Sequence, residues 1–144
     1  MKFLFYFALL LMCASLHATP PDCDVSKLLI CIAQKEGQAQ DAIGPHGERS
    51  IWGITKAVWN DHMDTKDEYA MGFAVCTESP FWARRVAIKH INWLAHELSK
   101  AGYAPSAYCI AAAWHLGLAG YVKLAKAGGE SQYGREVANL YGAP

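Results

Sequence analysis

The sequence predicts a mainly helical domain with a small β-hairpin inserted after its first core helix. Three observations carry that prediction. Apolar residues recur at helical spacing in several segments bounded by capping signals. The helical period disappears between Gln38 and Gly53, around the turn Gly44-Pro45-His46-Gly47. Near the carboxyl end, Cys109-Ile110-Ala111-Ala112-Ala113-Trp114 is apolar on every side, the mark of a central buried helix.

The first helix is the best defined. Val25, Leu28, Leu29, Ile32 and Glu36 fall at i, i+3, i+4, i+7 and i+11 and therefore share one face. Asp24 can cap its start, and Gly37 stands where a glycine commonly ends a helix in the left-handed region. Glu36 thus extends an apolar stripe, and a carboxyl so placed sheds hydration, the setting a general acid needs. The plain alternative is a solvated Glu at a helix end.

Beyond the hairpin, Asp41-Ala42-Ile43 and Ser50-Ile51-Trp52 flank the turn. Thr55 can cap a helix to about His62, and a further short helix is expected near Asp67 to Met71. Ser79-Pro80 is a strong start signal, serine as cap and proline at the first helical position. That helix should run to Ala101, stop at Gly102, and bury Phe81, Ile88, Ile91, Ala95 and Leu98. Pro105-Ser106 opens the central helix, Ala107 to Leu116, and helices at Tyr121–Ala127 and Gln132–Tyr141 complete the chain. No repeat, linker or low-complexity segment interrupts this single domain.

The first 18 of the 144 residues read as a leader: Lys2, an apolar run from Phe3 to Met12, and the cleavage signal Leu16-His17-Ala18. The run is too short to span a bilayer, so residues 19–144 are expected outside the cytoplasm, secreted or periplasmic, with no stable membrane insertion. Thirteen basic and 13 acidic residues give no basic surplus, which argues against nucleic acid as a partner. Cys13 falls in the leader; Cys23, Cys31, Cys76 and Cys109 remain. An even number in an exported chain points to two disulfides with three possible pairings and no free thiol. Scattered histidines and the lack of a CxxC pair give no metal site, and no cofactor is expected.

Four stretches have compositions that packing alone does not require. They are Glu36-Gly37, the run Ile43-Gly44 through Ile51-Trp52-Gly53-Ile54-Thr55, Ala111-Ala112-Ala113-Trp114-His115-Leu116-Gly117, and Tyr133-Gly134-Arg135-Glu136-Val137 onward. In order and spacing they resemble the lysozyme-like lytic transglycosylases, over nearly the whole of residues 25–141. The family's usual Gln before Ile-Thr is Gly53 here, its usual Asn is His115, and the Ser after the catalytic Glu is Gly37.

The resemblance implies an α+β lysozyme-like fold and a monomer that cleaves the β-1,4 bond between N-acetylmuramic acid and N-acetylglucosamine in peptidoglycan. Glu36 would be the catalytic acid and base. Trp52, Ile54, Trp114, His115 and Tyr133 would bind substrate, the aromatic ones by stacking on sugar faces. In that chemistry one carboxyl protonates the glycosidic oxygen and then deprotonates the sugar's 6-hydroxyl, closing a 1,6-anhydro ring. A hydrolytic lysozyme needs a second carboxylate, for which Asp41 and Glu48 are the candidates, each more simply a turn or solvated residue. The changes at Gly53 and His115 also admit a non-catalytic glycan-binding or scaffolding relative. Trp59, Trp82 and Trp93 read as structural, His90 as a core-edge histidine, and His46 and His62 as exposed.

Overall fold

The structure, a computed structural model, describes residues 21–63 and 72–143. It is mainly helical, with α1 (Val25–Glu36), α2 (Lys56–His62), α3 (Val75–Glu78), α4 (Pro80–Lys100), α5 (Ala107–Leu116), α6 (Leu118–Lys126) and α7 (Gln132–Gly142). The expected leader and the short helix near Asp67–Met71 lie outside the described residues.

Capping side chains set most of the starts. Asp24 accepts from the N–H groups of Ser26 and Lys27 at 2.7 and 3.1 Å. Thr55, Ser79, Ser106 and Ser131 do the same for α2, α4, α5 and α7. Each satisfies a donor that the helix itself cannot, worth about 1 kcal/mol. α6 begins at Leu118, three residues before the predicted start, because Gly117 at φ 73° turns the chain directly out of α5.

α5 lies at the centre, packed against α4, α6 and α7, while α1 lies against α7 and α4. Its alanines make this possible: Ala111, Ala112 and Ala113 are buried. Opposite them, Gly134 brings α7 so close that a Cβ there would stand 3.0 Å from both Ala112 Cβ and the Tyr108 carbonyl oxygen. The core also takes Leu28, Leu29 and Ile32 from α1, Trp59 from α2 and Leu94 and Leu98 from α4.

Two expectations change. On α4, Ile91, Ala95 and Leu98 are buried as expected, but Phe81 is 65 % exposed and Ile88 only half-buried, and Ala83, Val86, Ala87, His90 and Leu94 join the core. The hairpin is reduced to two isolated bridges, Ile43 with Arg49 and Arg49 with Ile54, and no strand forms among the described residues. Arg49 is paired on both sides, and the chain turns again at once through Ser50 (φ 67°) and Gly53 (φ 60°), so a ladder cannot extend.

The disulfide expectation also changes: Cys23, Cys31, Cys76 and Cys109 are all free thiols. Each has its own surroundings. Cys76 is buried with Sγ 3.9 Å from the Arg49 carbonyl oxygen, and Cys109 Sγ accepts from the Tyr121 hydroxyl at 3.1 Å. Burial pushes the Cys76 thiol up to about 11, which leaves almost no thiolate at neutral pH. Alkylation without reductant should therefore label all four after denaturation, with Cys76 resisting label in the native protein. Two cysteines that stay unlabelled in denaturant would restore a bridge.

Candidate active site

Glu36 is the last residue of α1. Gly37 follows at φ 63° and returns its N–H to the Ala33 carbonyl, so the helix ends where the side chain is needed. The carboxylate is held on two sides. Its Oε1 accepts the Tyr133 hydroxyl at 2.6 Å. Its Oε2 faces Gly53, where a built Cβ would come within 3.2 Å. Only a residue without a side chain leaves that approach unstrained, and φ 60° favours glycine for the same position.

Tyr133 is fixed from several directions. It sits in the first turn of α7, below the Ser131 cap, and the Ser131 N–H donates to the Tyr108 hydroxyl at 2.9 Å. The His115 ring from the end of α5 stacks on it, 4.5 Å between centroids and 6° from parallel. Burial, then the hydrogen bond to Glu36 and the negative charge there, push the Tyr133 phenol well above its ordinary range. It is therefore a permanent donor to the carboxylate.

On one side of this constellation Thr55 and His115 open a groove of about 600 Å³, walled by Asp61, His62, His90, Trp93 and Trp114. On the other, Lys35 pairs with Glu136, which also accepts from Gln132 at 2.9 Å. A smaller hollow there is shared with His115 and Tyr133. The structure thus places Glu36, Tyr133 and His115 together, and Trp114 beside them on the groove.

Trp52 and Ile54 lie elsewhere. The Trp52 indole is 7 % exposed, donates to the Leu29 carbonyl at 3.1 Å, and lines a separate apolar hollow. Ile54 is buried, with its N–H and C=O both paired to Arg49 at 2.8 Å. These two anchor the Gly53 turn from either side. Of the second-carboxylate candidates, Asp41 is exposed on the loop, and Glu48 accepts the His46 N–H at 2.9 Å within its own turn.

Sequence reasoning missed the far wall of the groove. His62 Nε2 and His90 Nδ1 are 2.9 Å apart, and His90 stacks on Trp93 at 5.5 Å with an interplanar angle of 13°. Trp93, read as structural, is 42 % exposed on this wall. The spacing of His90 and Trp93, three apart on one helix face, was the available signal. Burial, and then the neighbouring His62, push His90 down to about 4; burial also lowers His62, against the pull of Asp61.

A histidine depressed in the folded state stabilises above its ordinary 6.5 and loses that contribution as pH falls toward its folded value. The melting temperature should therefore drop between pH 6.5 and about 4, and His90→Asn should flatten that part of the curve. An unchanged slope in the variant would remove His90 as the cause. Among the described residues no group of three or more His, Cys, Asp or Glu could hold a metal ion. No family model matches the chain, and no curated protein and no solved structure matches it either.

Proposed function

We propose that the protein is a lysozyme-like enzyme that cleaves peptidoglycan glycan strands, acting as a lytic transglycosylase with Glu36 as its one acid and base. The observation that carries this reading is the carboxylate of Glu36 held between a permanent phenolic donor and a glycine turn, with His115, stacked on that donor, also lining an aromatic-walled groove. Oε1 is occupied by Tyr133, which leaves Oε2 as the oxygen that would deliver a proton. When it passes to the glycosidic oxygen, the Tyr133 hydroxyl is already in place to stabilise the carboxylate left behind. That carboxylate then takes the proton of the sugar's 6-hydroxyl, which attacks the anomeric carbon.

The state of Glu48 and Glu136 favours this route over hydrolysis, while Asp41 is exposed on its loop and Asp61 lies in the groove wall. Glu48 is engaged in its own turn, and Glu136 is tied to Lys35 and Gln132 on the far side of Tyr133. The groove fits pyranose rings, which present apolar faces to aromatic rings and hydroxyls to imidazoles. Digestion of purified peptidoglycan followed by mass analysis of the products tests the reading. Anhydro-ended muropeptides support it, reducing ends mean hydrolysis, and binding without any product favours the scaffolding relative that Gly53 and His115 admit.

His115 occupies the position of the family's amide and is exposed, stacked on Tyr133. His115→Ala should weaken glycan binding while keeping stability within about 1 kcal/mol. A large fall in melting temperature with unchanged activity per folded molecule would assign it a packing role instead.

A further inference from the structure

On the side of Tyr133 away from the aromatic-walled groove, two connected hollows follow the seam between α1 and α7. The first, about 330 Å³, is lined by Lys35, His115, Gln132, Tyr133 and Glu136. The second, about 530 Å³, shares Lys35 and Glu136 with it and continues past Gln34, Asn139 and Leu140 to Ala143. On α7, Gln132, Glu136, Asn139 and Leu140 stand at i, i+4, i+7 and i+8, so one face of the helix supplies that wall. The near end therefore touches the residue that holds Glu36, since the Tyr133 hydroxyl donates to that carboxylate at 2.6 Å.

The seam differs in chemistry from the groove. Sugar rings bind through aromatic faces, and the groove supplies these with Trp93 and Trp114. Among the described residues the second hollow has no ring at all. It offers two carboxamides, one cation, one anion and the exposed Leu140. Carboxamides match the N–H and C=O groups of a peptide backbone, and an ammonium matches a carboxylate. Lys35 pairs with Glu136, which also accepts from Gln132 Nε2 at 2.9 Å, so the cation is held at the seam. An ammonium has three donors, and the pair with Glu136 does not use them all.

The bond broken in the proposed reaction is at the anomeric carbon of a muramic acid residue, so that residue lies against Glu36. In peptidoglycan its 3-oxygen carries a lactyl group extended by a short carboxylate-bearing peptide. That branch has to leave the cleft close to Glu36. We infer that the seam between α1 and α7 binds this acidic peptide branch, with Lys35 reading its carboxylate. The inference rests on the reading of Glu36 as the catalytic acid. It gives the protein a preference for peptide-bearing strands over bare amino-sugar polymers.

The test is affinity for soluble, uncrosslinked peptidoglycan strands, compared with the same strands after their peptide carboxylates have been converted to primary amides. Tryptophan fluorescence reads binding, since Trp93 is 42 % exposed on the groove wall. Glu36→Gln is the parent protein throughout, so that no strand is digested during titration. The parent should bind the unmodified strands about tenfold more tightly, the worth of one charge-assisted hydrogen bond. That preference should shrink as salt rises. Adding Lys35→Met should bring the ratio to about one, and adding Lys35→Arg, which keeps the charge, should preserve it. Equal affinity of the parent for both strands, or a preference that survives Lys35→Met, would overturn the inference and leave glycan cleavage standing. The preference without any digestion by the wild-type chain would keep the seam and replace cleavage by scaffolding. Binding to neither strand would overturn both.

Discussion

Glu36→Gln is expected to lower cleavage of purified peptidoglycan by about 10²- to 10⁴-fold, the usual worth of general acid–base catalysis. The substitution keeps size and shape at the end of α1. It also keeps an oxygen that can accept the Tyr133 hydroxyl, now 2.6 Å from Oε1. What it removes is the transferable proton on the side facing Gly53 and the base needed in the second step. Glu48 and Glu136 are engaged elsewhere and are not placed to substitute for it. The melting temperature should stay near wild type, since packing is preserved. Equal digestion by wild type and variant would refute the assignment of Glu36. Failure of both to digest, with binding retained by both, would establish the scaffolding reading.

The parts of this molecule that could be read from its sequence are those set by neighbours along the chain. Asp24, Thr55, Ser79, Ser106 and Ser131 announce helix starts because a cap is a contact between residues two or three apart. Glu36 was legible for the same reason: its place at the end of an apolar stripe is a property of α1 alone. On α4, Ile91, Ala95 and Leu98 were read correctly, but its first turns were misjudged because bulky Phe81 and Ile88 outweigh Ala83 and Ala87 in a hydropathy pattern. In the fold, the small residues mark the close packing, and both alanines are fully buried.

Contacts between distant segments stayed hidden. The pairing of His62 with His90 joins two helices across 28 positions, and the Glu36–Tyr133 bond spans 97. The loop from Gln38 to Ile54 has no period to read. Its shape follows from the double pairing of Arg49 and from left-handed Ser50 and Gly53. The cysteine count spoke only of compartment, whereas the fold gives each thiol a separate environment.

Gly53→Gln, which writes in the residue usual among the lytic transglycosylases that the sequence resembles, is expected to impair the protein rather than improve it. The backbone there has φ 60°, a conformation that costs a residue with a side chain about 1–2 kcal/mol. Its new Cβ would stand 3.2 Å from Oε2 and 3.4 Å from Cδ of Glu36, tighter than ordinary contact. The carboxylate cannot retreat freely, because Tyr133 holds the opposite oxygen and His115 is stacked behind Tyr133. Either the turn shifts or the acid does, and a misplaced acid loses rate steeply. A fall in stability of about 1–2 kcal/mol should therefore accompany a loss of roughly ten- to a hundredfold in cleavage. Gly53→Ala separates the causes: it brings the same strain and the same Cβ without the amide. Matching losses in both variants would place the fault at Cβ. A gain of activity in Gly53→Gln alone would show that the loop can rearrange around Glu36, and that the amide, once present, serves the substrate.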